Sequence, residues 1–103
     1  MADLQIAQTI LEQLGGRRFL VMTGAKHLIG DTNSLSFRLP GAGGFCKDGI
    51  NYVRITLNAQ DTYDVTFARL RGRQSVQVSA HTDVYFDSLP KLFERVTGLR
   101  TRL

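Results

Sequence analysis

The chain has a single cysteine, Cys46, so no disulfide can close within it. A lone thiol suits a reducing compartment. Long apolar runs are also missing. None approaches the ~20 residues that span a bilayer, so no membrane association is expected. Met1 to Leu14 holds no basic region followed by an apolar run, and no signal peptide is expected there. These absences point to the cytoplasm. Histidine is scarce, with only His27 and His81. Neither stands with Cys46 or Asp83 at the spacing of a zinc site, so no metal or other cofactor is expected.

Catalytic motifs are lacking in the same way. No Gly-x-Ser-x-Gly elbow is there to raise a serine nucleophile. Glu12 and Glu94 fall on expected helices. Asp61, Asp64, Asp83 and Asp87 read as turn, ion-pair and capping residues. No acid, base, nucleophile and orienting group come together, so the chain is not read as an enzyme. Gly41-Ala-Gly-Gly-Phe-Cys-Lys47 has the glycines of a phosphate loop but not the spacing. Lys47 is followed by Asp48, and a strand comes next. A flexible surface loop, with four glycines in the nine positions Gly41–Gly49, explains it.

What the sequence does contain is a folding pattern. At 103 residues, 43% hydrophobic and 21% charged, it fits one domain with one modest core. Leu4, Ala7, Ile10, Leu11 and Leu14 recur at helical steps, with Asp3 as the cap and Gly15-Gly16 as the stop. Phe19-Leu20-Val21-Met22 is a short continuous apolar run and predicts a covered strand. Leu35, Phe37 and Leu39 alternate with polar residues and predict another, ended by Pro40.

From Asn51 to Ala80 the alternation is sustained: Val53, Ile55, Leu57; Tyr63, Val65, Phe67; Val76, Val78, Ala80. Pairing Leu57 with Tyr63 sets Ile55 opposite Val65 and Val53 opposite Phe67. A shift of one would oppose Ile55 to Asp64. In the next hairpin, Phe67 opposite Val76 leaves Arg71-Gly72 as a two-residue turn. Arg-Gly is a weaker turn signal than Asn-Gly, so a longer loop is the alternative. Leu89, Leu92, Phe93 and Val96 mark a closing helix that Gly98 ends. Pro90 fits its first turn after a Ser88 cap; the rival is a start at Asp83 with a kink at Pro90. The fold class is therefore α+β, a single antiparallel sheet of about five strands with N- and C-terminal helices on one face. The other face would show Ser36, Arg38, Tyr52, Arg54, Thr56, Thr66, Ser75, Gln77 and Ser79 to water. Asp64 would lie diagonal to Arg54 there, as a surface salt bridge.

The net charge is +4, with ten arginines against three lysines. A basic balance favours a polyanionic partner. Arg38 and Arg54 flank Tyr52 on the expected wet face, and Arg69, Arg71 and Arg73 cluster around the turn at Gly72. A sheet with an aromatic ring and guanidinium groups can stack bases and hold phosphates. Such platforms usually show two or three aromatics, whereas Tyr52 is alone, and a solvated Ser/Thr-rich face is the competing explanation. Lys26, at the end of Thr23-Gly24-Ala25-Lys26, is a second candidate anion contact.

Gln13-Leu14-Gly15-Gly16-Arg17-Arg18-Phe19, Met22–Lys26, Leu35-Ser36-Phe37, Asn51-Tyr52-Val53, Asp61–Val65 and Phe93–Leu99 together resemble small uncharacterised proteins of bacteriophages, prophages and bacterial mobile elements. Met22–Lys26 and Val96–Leu99 are the more distinctive parts of the match. The resemblance covers most of the chain but not the Gly41–Gly49 loop or the arginine hairpin. It implies a bacterial intracellular setting and a role in an element's DNA life or its contest with the host. It carries no site residues. Two functions are expected from these readings. One is an accessory protein binding nucleic acid or a nucleoprotein. The other is a protein-binding module that modulates a host enzyme or defence complex. A bare sheet edge is in addition a candidate homodimer contact.

Overall fold

A computed structural model describes residues 4–39, 50–71 and 73–99. The expected Asp3 cap, the Pro40 stop, the Gly41–Gly49 loop, Gly72 and the Arg71 side chain lie outside what it describes. In chain order the elements are α1 (Gln5–Leu14), α2 (Arg17–Thr23), β1 (Lys26–Gly30), β2 (Ser34–Arg38), β3 (Tyr52–Leu57), β4 (Tyr63–Arg71), β5 (Gln74–Val84), a 3-10 turn (Phe86–Ser88) and α3 (Leu89–Thr97). The five strands form one antiparallel sheet in the order β1-β2-β3-β4-β5. The fold is α+β, as the sequence predicts.

α1 forms where the apolar stripe predicts it, with Ala7, Ile10 and Leu14 buried. Leu4 precedes the helix and is exposed. Gly15 and Gly16 take left-handed φ values of 131° and 62°, open to glycine because it has no Cβ to clash. Their N–H groups close onto the Glu12 and Leu11 carbonyls. α1 packs on β2 and α3. It crosses close to the end of β1: a Cβ on Gly30 would stand 2.9 Å from Leu4 Cδ2 and 3.0 Å from Ala7 Cβ.

The run Phe19–Met22 is helical and not the strand its composition predicts. It lies in α2, which ends on left-handed Gly24 (φ 70°). Two glycine stops leave room for only about two helical turns. Within them Phe19 and Thr23, four residues apart, share the buried face. Val21 points the other way and is 77% exposed. A continuous apolar run looks the same for a buried strand and a short helix. The Thr23 hydroxyl donates to the Phe19 carbonyl (2.8 Å) and accepts from the Ala25 N–H (3.2 Å), which fixes the exit into β1. The first strand is thus β1, beyond α2.

The β3–β4 register is as expected: Leu57 faces Tyr63, Ile55 faces Val65 and Val53 faces Phe67. The loop between them is organised by Asn58. Its Oδ1 accepts from the N–H groups of Gln60 and Thr62, and its Nδ2 donates to Thr62 Oγ1 and Asp64 Oδ1. The expected Asp64–Arg54 salt bridge is not formed; Asn58 engages Asp64 instead.

The β4–β5 register differs from the expected one. Phe67 faces Ser79, Val65 faces His81 and Tyr63 faces Val84. β5 runs on to Val84, and extra residues enter opposite the Tyr63/Val65 and Phe67/Ala68 steps. Such insertions break the two-residue period from which the register was read. Arg71 pairs with Gln74, so the hairpin corner falls after Arg71 and takes in Arg73. Ser79 therefore shares the face of Phe67, not the wet face.

α3 starts at Leu89 with Pro90 in its first turn and ends on left-handed Gly98 (φ 81°), so the kinked start at Asp83 is not adopted. Ser88 occupies the cap position without a side-chain cap bond. The core lies between the sheet and the helices. Phe19 of α2 meets Phe37 of β2 at 5.3 Å and Phe93 of α3 at 5.1 Å, both edge to face. That geometry suits the ring quadrupoles. Leu35, Val53, Ile55, Val65 and Phe67 complete the buried sheet face.

Candidate nucleic-acid interface

Directly opposed residues of an antiparallel pair point to the same face, about 4.5–5.5 Å apart. One row on the face away from the helices can be followed across all five strands: Lys26, Arg38, Tyr52, Ala68, Gln77. The next row is Ile29, Ser36, Arg54, Thr66, Ala80. Arg54 follows Tyr52 by two residues on the same strand, about 6–7 Å along it. Arg38 and Arg54 thus neighbour Tyr52 on one surface, with Lys26 one strand beyond Arg38. All three cations are exposed, and the ring of Tyr52 is half-buried.

Neither row contains a carboxylate. The nearest acid on this face is Asp64, in the third row with Ser34 and Thr56, and Asn58 donates to it. Guanidinium groups so placed can bind phosphate oxygens through paired N–H donors. The phenol ring is a flat surface for a base.

The six expected contact residues and Lys26 do not all come together. Arg38, Tyr52 and Arg54 do. Lys26 joins them because β1 pairs with β2, a strand that the sequence reading missed. The Gly30–Asn33 turn between two apolar runs was the available signal. Arg69 stands two residues from Phe67 and pairs with Val76, so it belongs to the helix side of the sheet and is half-buried. Arg71 closes β4. Arg73 is exposed at the hairpin corner, about 10–15 Å along the strand from the Ala68 row.

Other expected features are dispersed. His27 lies on β1 and His81 on β5, at opposite edges of the sheet. His81 packs edge-on against Phe67 at 5.8 Å and contacts Ser79 Oγ. Tyr63, on the helix side, donates its hydroxyl to Gln13 Oε1 at 2.7 Å. Burial holds its phenol above the ordinary value of 10.0, although the Gln13 contact opposes that shift. A groove of about 470 Å³ runs between the end of β5 and α3, lined in part by His81, Asp83, Tyr85, Lys91 and Arg95. No helix among the described residues is long and apolar enough to cross a membrane. Compared with protein-family models, curated proteins and solved structures, the chain matches none.

Proposed function

We infer that this chain is a non-enzymatic accessory protein that binds nucleic acid or a nucleoprotein through the open sheet face. The observation that carries the reading is that Lys26, Arg38, Tyr52 and Arg54 share one sheet face in two rows free of carboxylates. Packing does not require three exposed cations there. A polyanion neutralised by them gains by counterion release, and a base laid on Tyr52 gains by stacking. Arg73 at the hairpin corner extends the basic surface along the strand direction. The resemblance to small phage and mobile-element proteins supplies the setting, a bacterial cytoplasm in which foreign and host DNA meet. Titration with single- and double-stranded DNA and RNA at low salt tests the reading. Binding at micromolar protein is expected, and no binding to any of them rejects it.

A further inference from the structure

The open face is broad, and Tyr52 stands at its centre. Tyr52 lies on β3, with two strands on either side in the order β1-β2-β3-β4-β5. Strands about 4.8 Å apart make a five-stranded face about 19 Å across. The major groove of a duplex is about 12 Å wide and admits an α-helix or a two-stranded ribbon. The strands beside β3 therefore keep Tyr52 from the base edges of an unopened duplex. Proteins that open the minor groove instead drive apolar wedges between base steps. The residues described around Tyr52 offer no such wedge: they are Arg38, Arg54, Ser36, Thr66 and Ala68. A duplex would meet the centre of this face through its phosphates alone.

Ile29 is an exposed apolar residue of the same face. It is 65% exposed and opposes Ser36, in the row of Arg54. It points away from the helices, so core packing does not account for it. From Tyr52 it is two strands across and one two-residue step along, about 12 Å. Arg38 adjoins Tyr52 on the β2 side, Arg54 follows it along β3, and Lys26 shares β1 with Ile29. Cations and apolar surfaces therefore alternate between β3 and β1. In the third row Asp64 faces Thr56, which confines a polyanion to the first two rows. We propose that this face selects a single strand of nucleic acid over a duplex. The strand runs from β3 to β1, with one unpaired base stacked on Tyr52 and another against Ile29. Arg38, Arg54 and Lys26 hold the phosphates beside those bases. The inference rests on the polyanion reading above and specifies what the polyanion is. Every unpaired base, in DNA or RNA, has a ring face to stack, so the shared ligand chemistry is an unstacked base between phosphates.

Fluorescence anisotropy at one low salt concentration tests this. It compares labelled single-stranded DNA, single-stranded RNA and a DNA duplex of the same sequence and length. A dissociation constant about tenfold or more below that of the duplex is expected for one or both single strands, equivalent to about 1.4 kcal/mol. The difference between the DNA and RNA arms identifies the sugar. Tyr52→Leu keeps apolar bulk but has no ring. It is expected to weaken the single-strand complex about tenfold, within the range of one stacked base. Tyr52→Phe keeps the ring and is expected to bind as the parent does. Ile29→Ser, on the exposed edge strand, is expected to weaken the same complex about threefold through lost apolar contact. Duplex affinity is expected to be unchanged in each variant. A duplex bound as tightly as both single strands overturns this inference and leaves the polyanion contact standing. So does a Tyr52→Leu loss that is equal on duplex and single strand. Binding to none of the three overturns the polyanion reading, and this inference with it.

Discussion

Asn51 and Leu70 are joined twice: Asn51 Nδ2 donates to the Leu70 carbonyl at 2.9 Å, and the Leu70 N–H donates to Asn51 Oδ1 at 2.7 Å. The Asn51 N–H also reaches the Ala68 carbonyl, and its own carbonyl accepts from Leu39 N–H. A side-chain amide thus continues the β3–β4 ladder one step toward the arginine corner, immediately before Tyr52. Asn51→Ala leaves both polar groups of Leu70 without these partners in a half-buried setting. A loss of about 1–3 kcal/mol is expected from urea unfolding. Amide exchange around Leu70 is expected to quicken more than in β2. Unchanged stability and exchange would remove Asn51 from this role.

The Tyr63–Gln13 contact ties β4 to α1. The phenol is raised above 10.0 in the folded chain, so the folded state holds its proton more tightly than the unfolded state. The resulting stability is fully present below pH 10 and falls as pH rises through the folded value. Ultraviolet titration is expected to show a late tyrosine step, above 10.0, from Tyr63. Tyr63→Phe should remove both that late step and its share of the alkaline loss of stability. A late step that survives Tyr63→Phe would contradict the assignment.

Phe19 and Val21 separate the two conformations open to the second apolar run. On a covered strand both would be inside. In α2 Phe19 is fully buried between Phe37 and Phe93, and Val21 is in water. Phe19→Ala is expected to cost about 3–5 kcal/mol. Val21→Ala should stay within about 0.5 kcal/mol of the parent. Comparable losses at the two positions would restore the strand.

Where burial alternates cleanly, the fold was legible. Val53, Ile55 and Leu57 against Phe67, Val65 and Tyr63 leave one register without a buried aspartate, and that register is found. Val76, Val78 and Ala80 alternate as well, yet their pairing was misread. β5 is an edge strand with inserted residues, and a period carries no sign of an insertion. β1 escaped notice because Lys26-His-Leu-Ile-Gly30 is exposed or half-exposed throughout, with no face to impose a pattern. The candidate site inherits this division. Arg38, Tyr52 and Arg54 follow from alternation and register. Placing Lys26 beside them required β1. The side taken by Arg69 was readable from its two-residue step beyond Phe67.

The central claim is that the Lys26–Arg38–Tyr52–Arg54 surface is the polyanion contact. Its most direct test is the salt dependence of nucleic-acid binding, measured by fluorescence anisotropy on the parent chain, on Lys26→Ala/Arg38→Ala/Arg54→Ala, and on Arg69→Ala. Each lost phosphate contact reduces the slope of log K against log salt by about 0.9 on duplex DNA and about 0.7 on single strands. The triple variant is expected to lose about 2–3 units of slope and most of its affinity, while Arg69→Ala, on the other face, keeps both. A triple variant with the affinity and slope of the parent would contradict the account.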